Sequence, residues 1–491
     1  MTRLLTAHPC PGLFYATPAQ DGYLLRLRTP GGRLRSAQAL GLAAWAQTWG
    51  CDSLQVTNRA NLQLRVAQPP PTLESIGPLQ TLGLASPTPA MDRLRNIMAS
   101  PTAGLDTQEG LDPSPWVQAL DRHLQTHPEL AGLPSKMSVG FDGGGRVGLG
   151  TRSPVPWEHR PNEIQLTAVA TPTGSAFHLT LGPPSASPAP GLLLAPDQVL
   201  ATLAALLAVY AEGLQTLPNL PEKARLKHLL QVWGLEGYLQ RVGDRLATRQ
   251  LPRSEPLPYP PSQPYAHLGI HPQRQAGRVY LGLPLPLGQI TRAQLTGLAR
   301  LAQTRGRGEV RLTPWQGILL PDVPEAELPQ LLPELAALGL PVGPDWTTAG
   351  IVACAGQPGC RAAATDTQAL AHTLHQTLHH QFALDIPVNI HITACPKGCA
   401  QPSPAEILLL GTRQLVGGDL QEAYYLYGGQ AAGEPQLLHP EPLAVPELLP
   451  TLTRLLQHYG DQRATPQESL SAFVRRYPWE ALAQAALPAC P

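Results

Sequence analysis

Four of the seven cysteines stand in two short stretches, VACAGQPGC at residues 352–360 and TACPKGCAQP at 393–402, in the order C-x5-C and then C-x3-C. Thiolates are soft donors, so four of them brought together point to zinc or an iron-sulfur cluster rather than to packing. Structural zinc sites use pairs of tight C-x2-4-C knuckles, which C-x5-C misses. A 4Fe-4S cube needs ligands spread over a wider body, and two glycine-bearing loops can wrap one. The expected ligands are Cys354, Cys360, Cys395 and Cys399. Cys10, Cys51 and Cys490 lack such neighbours and read as core or surface thiols.

Seven is an odd number of cysteines in a 491-residue chain. The opening MTRLLTAHPCPGLFY lacks the apolar core and cleavage site of a secretory signal. Both features argue for reduced thiols and a cytoplasmic protein. The 35 basic and 35 acidic residues cancel, which argues against nucleic acid and against an anionic membrane surface as partners. Any anion must then be met by a local pocket. The longest apolar run, VLATLAALLAVYA at 199–211, is too short to span a bilayer and predicts a buried helix.

An internal repeat carries these stretches. AQALGLAAWAQTWGCDSLQVT (37–57) lies without a gap over AQLTGLARLAQTRGRGEVRLT (293–313), with ten of 21 positions identical. Strand-like runs flank both copies, so each reads as strand, helix, strand and strand. The repeat continues: RNIMASPTAG from Arg95 parallels AGIVACAGQPGC, and LPSKMSVGFDGGGR from Leu133 parallels DIPVNIHITACPKGCA. Ser100 and residues 142–146 of the first copy stand where the second has cysteines. The expected bodies are residues 1–75 paired with 260–325, then 76–255 with a helical connector, then 326–491 carrying the cluster. The tail TPQESLSAFVRRYPWEAL, from Thr465, predicts one capped helix with an arginine-rich middle.

The cysteine spacing, TNRANLQLR, RNIMASPTAGLD and the duplicated layout together resemble the sulfite and nitrite reductase family across essentially the whole chain. The resemblance implies an α/β (α+β) fold of the sulfite-reductase type, with a pseudo-two-fold repeat and three domains around a central cleft. It implies a 4Fe-4S cluster on the four cysteines, the last able to bridge to sirohaem iron. Within the family, CPGLFYATPAQDGYLLRLRTPGGRL, GFDGGGRVGL and NIHITACPKGCAQP look most like the precorrin-3B synthase branch. That branch implies O2-dependent hydroxylation of precorrin-3A at C20 with lactone formation in cobalamin biosynthesis, and a further mononuclear non-haem iron. A sirohaem-dependent sulfite or nitrite reductase is the alternative, and an iron-sulfur carrier or tetrapyrrole-binding protein without enzymatic activity is a third reading. The electron donor would be ferredoxin or a flavoprotein.

The chain has only four lysines: Lys136, Lys223, Lys227 and Lys397. Family motifs assign anion or carboxylate binding to Arg59 of TNRAN, Arg95 of RNIMAS and Lys136 of LPSKMS, with Ser138 where reductases carry a second lysine. That lost charge, and Lys397 within CPKGC, tilt the expectation from reductase towards synthase. The resemblance adds Arg225, Lys227 and Lys397 to the tetrapyrrole-binding candidates, and His391, before the second cysteine pair, to the catalytic ones. Within ALAHTLHQTLHHQF, His372, His375 and His379 are expected to face solvent, opposite Leu370, Leu374 and Leu378.

Overall fold

The computed structural model describes residues 11–66, 72–172, 174–182, 190–247, 251–343, 345–381, 384–401, 403–416, 418–429 and 435–486, so Cys10 and Cys490 lie outside the described residues. The chain divides into two compact units. One holds Tyr23–Leu283 and Ile290–Gly343; the other holds Pro284–Gln289 and Pro344–Pro491.

The first unit begins with β1 (Gly22–Leu27), β2 (Arg33–Arg35), α1 (Ser36–Thr48), β3 (Ser53–Val56) and β4 (Leu62–Val66). An α/β layer follows: β5 (Ile97–Ala99), α2 (Ser114–Thr126), β6 (Val139–Asp142), β7 (Ile164–Thr171), β8 (Gly174–Leu181), α3 (Val199–Thr216) and α4 (Leu226–Arg245). The first arrangement then recurs as β9 (Arg278–Leu283), β10 (Gln289–Thr291), α5 (Arg292–Arg305), β11 (Glu309–Leu312) and β12 (Ile318–Pro324). The two copies exchange strands. β10 closes the edge of the first copy's sheet beside β3, and β2 pairs antiparallel with β11 in the second copy's sheet.

The repeat identities have physical causes. Ala39, Leu42, Ala43 and Ala46 of α1 are buried, as are Leu295, Leu298, Ala299 and Ala302 at the matching positions of α5. The Gln38 side chain accepts from Arg35 N and donates to Leu82 O; Gln294 does the same with Thr291 N and Leu338 O. At Gly41 a Cβ would fall 2.4 Å from Leu82 Cδ1, and at Gly297 2.6 Å from Leu338 Cδ2, so both helices need glycine for close approach.

The second unit carries β13 (Ile351–Ala353), α6 (Thr367–Gln381), β14 (Ile390–Thr393), β15 (Ile407–Val416), β16 (Asp419–Gly428) and α7 (Val445–Gln462). Its topology matches the first α/β layer. β5, β6 and β7 run parallel with β8 antiparallel; β13, β14 and β15 run parallel with β16 antiparallel. Ser100 thereby corresponds to Cys354, each directly following the first strand of its layer.

Two expectations are corrected. The apolar run becomes an 18-residue helix, α3, long and apolar enough to cross a membrane by length and composition. Leu203, Leu206, Leu207 and Tyr210 are nonetheless fully buried in the core of the first unit. The tail forms two helices, Leu470–Arg476 and Trp479–Ala486, because Pro478 cannot continue the first. Ser469 caps the former, its Oγ accepting from Ala472 N.

Candidate active site

Cys354 follows β13 and Cys395 follows β14, so both thiol loops leave the carboxyl ends of adjacent parallel strands, where open α/β sheets place ligands. Two backbone bonds join the two segments, Cys354 N to Ile392 O and Ala364 N to Ala394 O, while Gln357 N to Thr365 O closes the first loop on itself. Ala394 N also points to Cys354 Sγ at 3.4 Å. Gly398, at φ 54°, turns the chain between Cys395 and Cys399 in a conformation that costs a side-chain-bearing residue strain.

The Cys399 thiol is pushed up by burial and by the neighbouring Cys395, Cys354 and Cys360, and is drawn down by Lys397. All four sulfurs therefore share one locality. Among the described residues, the ligand sets whose atoms all lie within 4.8 Å of one another include no cysteine. Zinc with bonds of about 2.3 Å would hold its sulfurs roughly 3.8 Å apart. No three of the thiols stand that close.

His391 points away from the core that takes Ile390 and Ile392. It is 4% exposed, its Nε2 has no hydrogen-bond partner, and burial lowers it to about 4, so the ring is neutral. Its Cε1 lies beside Gly398 of the second cysteine loop, 3.7 Å from where a Cβ would stand. Gln401 is locked in a reciprocal amide pair with Asn389, at 2.8 and 3.1 Å.

In the first unit, TNRAN forms a tight turn. Thr57 N donates to Asn61 O, Ala60 N to Thr57 O, and Ala60 takes φ 53°. The second copy repeats it at Thr313 to Gly317, with Gln316 at φ 62°, but puts Trp315 where the first has Arg59. Trp315 stacks on His267 with centroids 4.3 Å apart. Only the first copy therefore offers a cation here. The Arg59 guanidinium donates to Asn162 Oδ1 at 2.7 Å; burial, with Arg225 nearby, lowers it to about 10, leaving it charged.

Lys136 and Arg225 come together. Arg225 donates to Lys136 O at 3.2 Å and pairs with Glu163 at 2.8 Å, and both line a cavity of about 650 Å³ with Lys223 and Arg93. Ser138 is 1% exposed, and its hydroxyl accepts from Glu163 N. The other binding candidates, Arg59, Arg95, Lys227 and Lys397, do not line this cavity. Lys227 is exposed on α4 outside the cavity lining, and Lys397 lies in the second unit beside the thiols. Arg95 is also elsewhere. It is 4% exposed, bonds Asp121 through two nitrogens at 2.8 and 3.0 Å, and lines a separate cavity with Arg28, Arg33 and Arg35. Asp121 compensates much of its charge, which the sequence motif does not reveal.

Where the second layer has thiols, the first has a buried polar network. Ser100 Oγ accepts from Gly143 N, and Asp142 takes two bonds from Arg152 at 3.0 Å, both side chains at most 1% exposed. Glu109, 8% exposed, is pushed up to about 8 by burial; Arg274, 3.8 Å away and 38% exposed, is too distant and too hydrated to hold its charge. The unfolded chain ionises this group near 4.5, whereas the folded protein keeps the proton to about 8. Its contribution to stability is thus complete below the lower value and is lost as pH rises through the higher one. Glu109→Gln cannot ionise, so its melting temperature relative to the native protein should rise between about pH 5 and about pH 8.5. A pH-independent difference in thermal denaturation would contradict this.

Comparison with known proteins agrees with this architecture. The nitrite/sulfite reductase ferredoxin-like half domain matches residues 17–70 and 271–338, and the nitrite and sulphite reductase 4Fe-4S domain matches 90–250. The latter falls on the layer without the four cysteines, whose topology the cysteine-bearing layer repeats. A ferredoxin–nitrite reductase of Synechococcus elongatus is 32% identical over 434 residues, covering 86% of this chain and 82% of its own. A ferredoxin sulfite reductase of Mycolicibacterium paratuberculosis is 27% identical over 428 residues, covering 84% and 74%. The structure of the Mycobacterium tuberculosis NirA protein superposes with a TM-score of 0.74 at 24% identity, over 94% of this chain and 84% of that one. The chain belongs to the nitrite/sulfite reductase family and has its mixed α/β fold.

The expectation of precorrin-3B synthase is overturned by these relatives, which are ferredoxin-dependent reductases along most of the chain. Precorrin-3A and O2 as partners, the monooxygenase reaction and the mononuclear iron attached to it fall with that expectation. Ser138, where reductases carry a second lysine, was therefore a poor guide to function, whereas Arg225 and Lys136, both expected to bind a tetrapyrrole, do line one cavity.

Proposed function

We propose that the protein is a ferredoxin-dependent nitrite reductase using a 4Fe-4S cluster and sirohaem. The observation that carries this is the 32% identity to a ferredoxin–nitrite reductase over 434 residues. The chain's own residues support it. Lys136, Arg225, Lys223 and Arg93 around a cavity of about 650 Å³ suit the carboxylates of a tetrapyrrole, with Glu163 holding the Arg225 guanidinium in place. Cys354, Cys360, Cys395 and Cys399 form a donor set for the cluster. When bound, the cluster would supply electrons and sirohaem the iron at which an oxyanion is reduced.

Arg59 is assigned to the anion. Asn162 fixes one end of its guanidinium, which leaves the other N–H groups to hold nitrite oxygens. His391, neutral and buried beside the cysteine loop, adds no charge of its own there. The 27% identity to a ferredoxin sulfite reductase favours sulfite as a second reading.

The test is anaerobic turnover with reduced ferredoxin, following nitrite and sulfite consumption separately. Nitrite should be the faster substrate; consumption of neither would refute the reading. Arg59→Ala should lower kcat/KM about 100-fold or more while iron content and the sirohaem spectrum stay native, because charge aimed at a reacting anion is lost. Unchanged kcat/KM would remove Arg59 from the site.

A further inference from the structure

The histidines of α6 do not all face solvent. Leu370, Leu374 and Leu378 are buried as expected, but His375 and His379, one turn apart, converge on Asp345 from a segment thirty residues upstream. Their rings stand 4.5 Å apart, and both direct Nε2 at the same carboxylate oxygen, Asp345 Oδ2, at 3.9 and 3.0 Å. The three ligand atoms all lie within 4.8 Å of one another. Two imidazoles and one carboxylate are a donor set for borderline divalent ions, and no such set is needed to cap a helix.

We propose that Asp345, His375 and His379 form a binding site for a divalent first-row transition ion of the zinc class. Around a tetrahedral ion with bonds of about 2.05 Å, ligand atoms stand roughly 3.3 Å apart, and the two observed separations bracket that value. The carboxylate is already aimed. Asp345 Oδ1 accepts from Thr348 N at 2.9 Å, which turns Oδ2 towards the histidines. The Thr348 hydroxyl lies 2.5 Å from Oδ2 and 2.6 Å from His375 Nε2, inside the same group, where it can supply a further oxygen or rotate aside. The side chains are 22% exposed at His375, 26% at Asp345 and 45% at His379, so an ion can enter and water can complete its shell.

The ion would act as a brace. The short helix Trp346–Gly350 leads directly into β13 and Cys354, while Thr367 and Gln368 at the start of α6 both donate to Cys354 O, at 2.9 and 2.6 Å. Asp345 and α6 therefore flank the first cysteine loop on both sides. A bond through the ion would tie the two segments together and hold that loop in register.

The experiment titrates zinc into cluster-loaded protein under anaerobic conditions, where the four cysteines are already engaged, with calorimetry and elemental analysis as readouts. Native protein and His372→Ala, which alters an exposed histidine of the same helix, should each bind one equivalent and gain melting temperature. His375→Ala and His379→Ala should bind at least about tenfold more weakly and lose the thermal gain. His379 is exposed enough that its replacement leaves the fold intact, which native cluster content would verify. Absence of zinc binding by the native protein, or equal binding by the His375 and His379 variants, would overturn the proposal.

Discussion

Replacing Cys399 by serine should strip the cluster, with iron and acid-labile sulfide falling to background and the broad visible absorption disappearing. A serine hydroxyl is a harder donor that stays protonated at neutral pH, so it cannot replace a thiolate on iron. The loop offers no substitute: Gly398 holds the turn and Lys397 beside it is a cation. Cys51→Ser is the control. Cys51 is buried in the first unit, its Sγ donates to Ser53 O at 3.1 Å, and burial raises its thiol, all marks of an inert packing residue. Cys51→Ser should keep iron and sulfide at native levels. Equal contents in the two variants would refute the ligand assignment.

Asp142→Ala should cost about 3–5 kcal/mol of stability, because it leaves the Arg152 guanidinium buried without its counter-charge. The loss goes beyond the ion pair. Asp142 also accepts from Gly144 N and Leu149 N, so two backbone donors of the glycine-rich segment lose their acceptor. Replacing both charges by apolar residues of similar volume should be much milder, since a buried pair roughly balances its desolvation cost. Denaturant unfolding followed by tryptophan fluorescence measures both. A single-variant loss below about 1 kcal/mol, or a double variant no better than the single, would contradict the assignment of this network as the first layer's replacement for a cluster.

The duplication was legible because its identities have packing tasks. Gln38 and Gly41 recur as Gln294 and Gly297 since each pair fixes the same contact to Leu82 or Leu338. The meeting of the two cysteine loops was legible from spacing, since adjacent parallel strands deliver both to one edge. What could not be read were partners distant in sequence. Nothing in RNIMAS shows that Asp121 binds Arg95, and nothing in the histidine-bearing helix points to Asp345. The functional reading was misdirected in a similar way, because the charge lost at Ser138 is visible in a motif whereas the cavity that joins Lys136 to Arg225, Lys223 and Arg93 needs the folded chain. The break at Pro478 was readable from the proline itself, and the single-helix expectation gave it too little weight.

The central claim, a reductase using both sirohaem and a 4Fe-4S cluster, is tested most directly by the absorption spectrum of protein expressed with a sirohaem supply and purified without oxygen. A Soret band with long-wavelength sirohaem bands, at one equivalent per intact cluster, is the predicted result. A fully loaded cluster showing only its broad shoulder, with no tetrapyrrole absorption, would contradict the account.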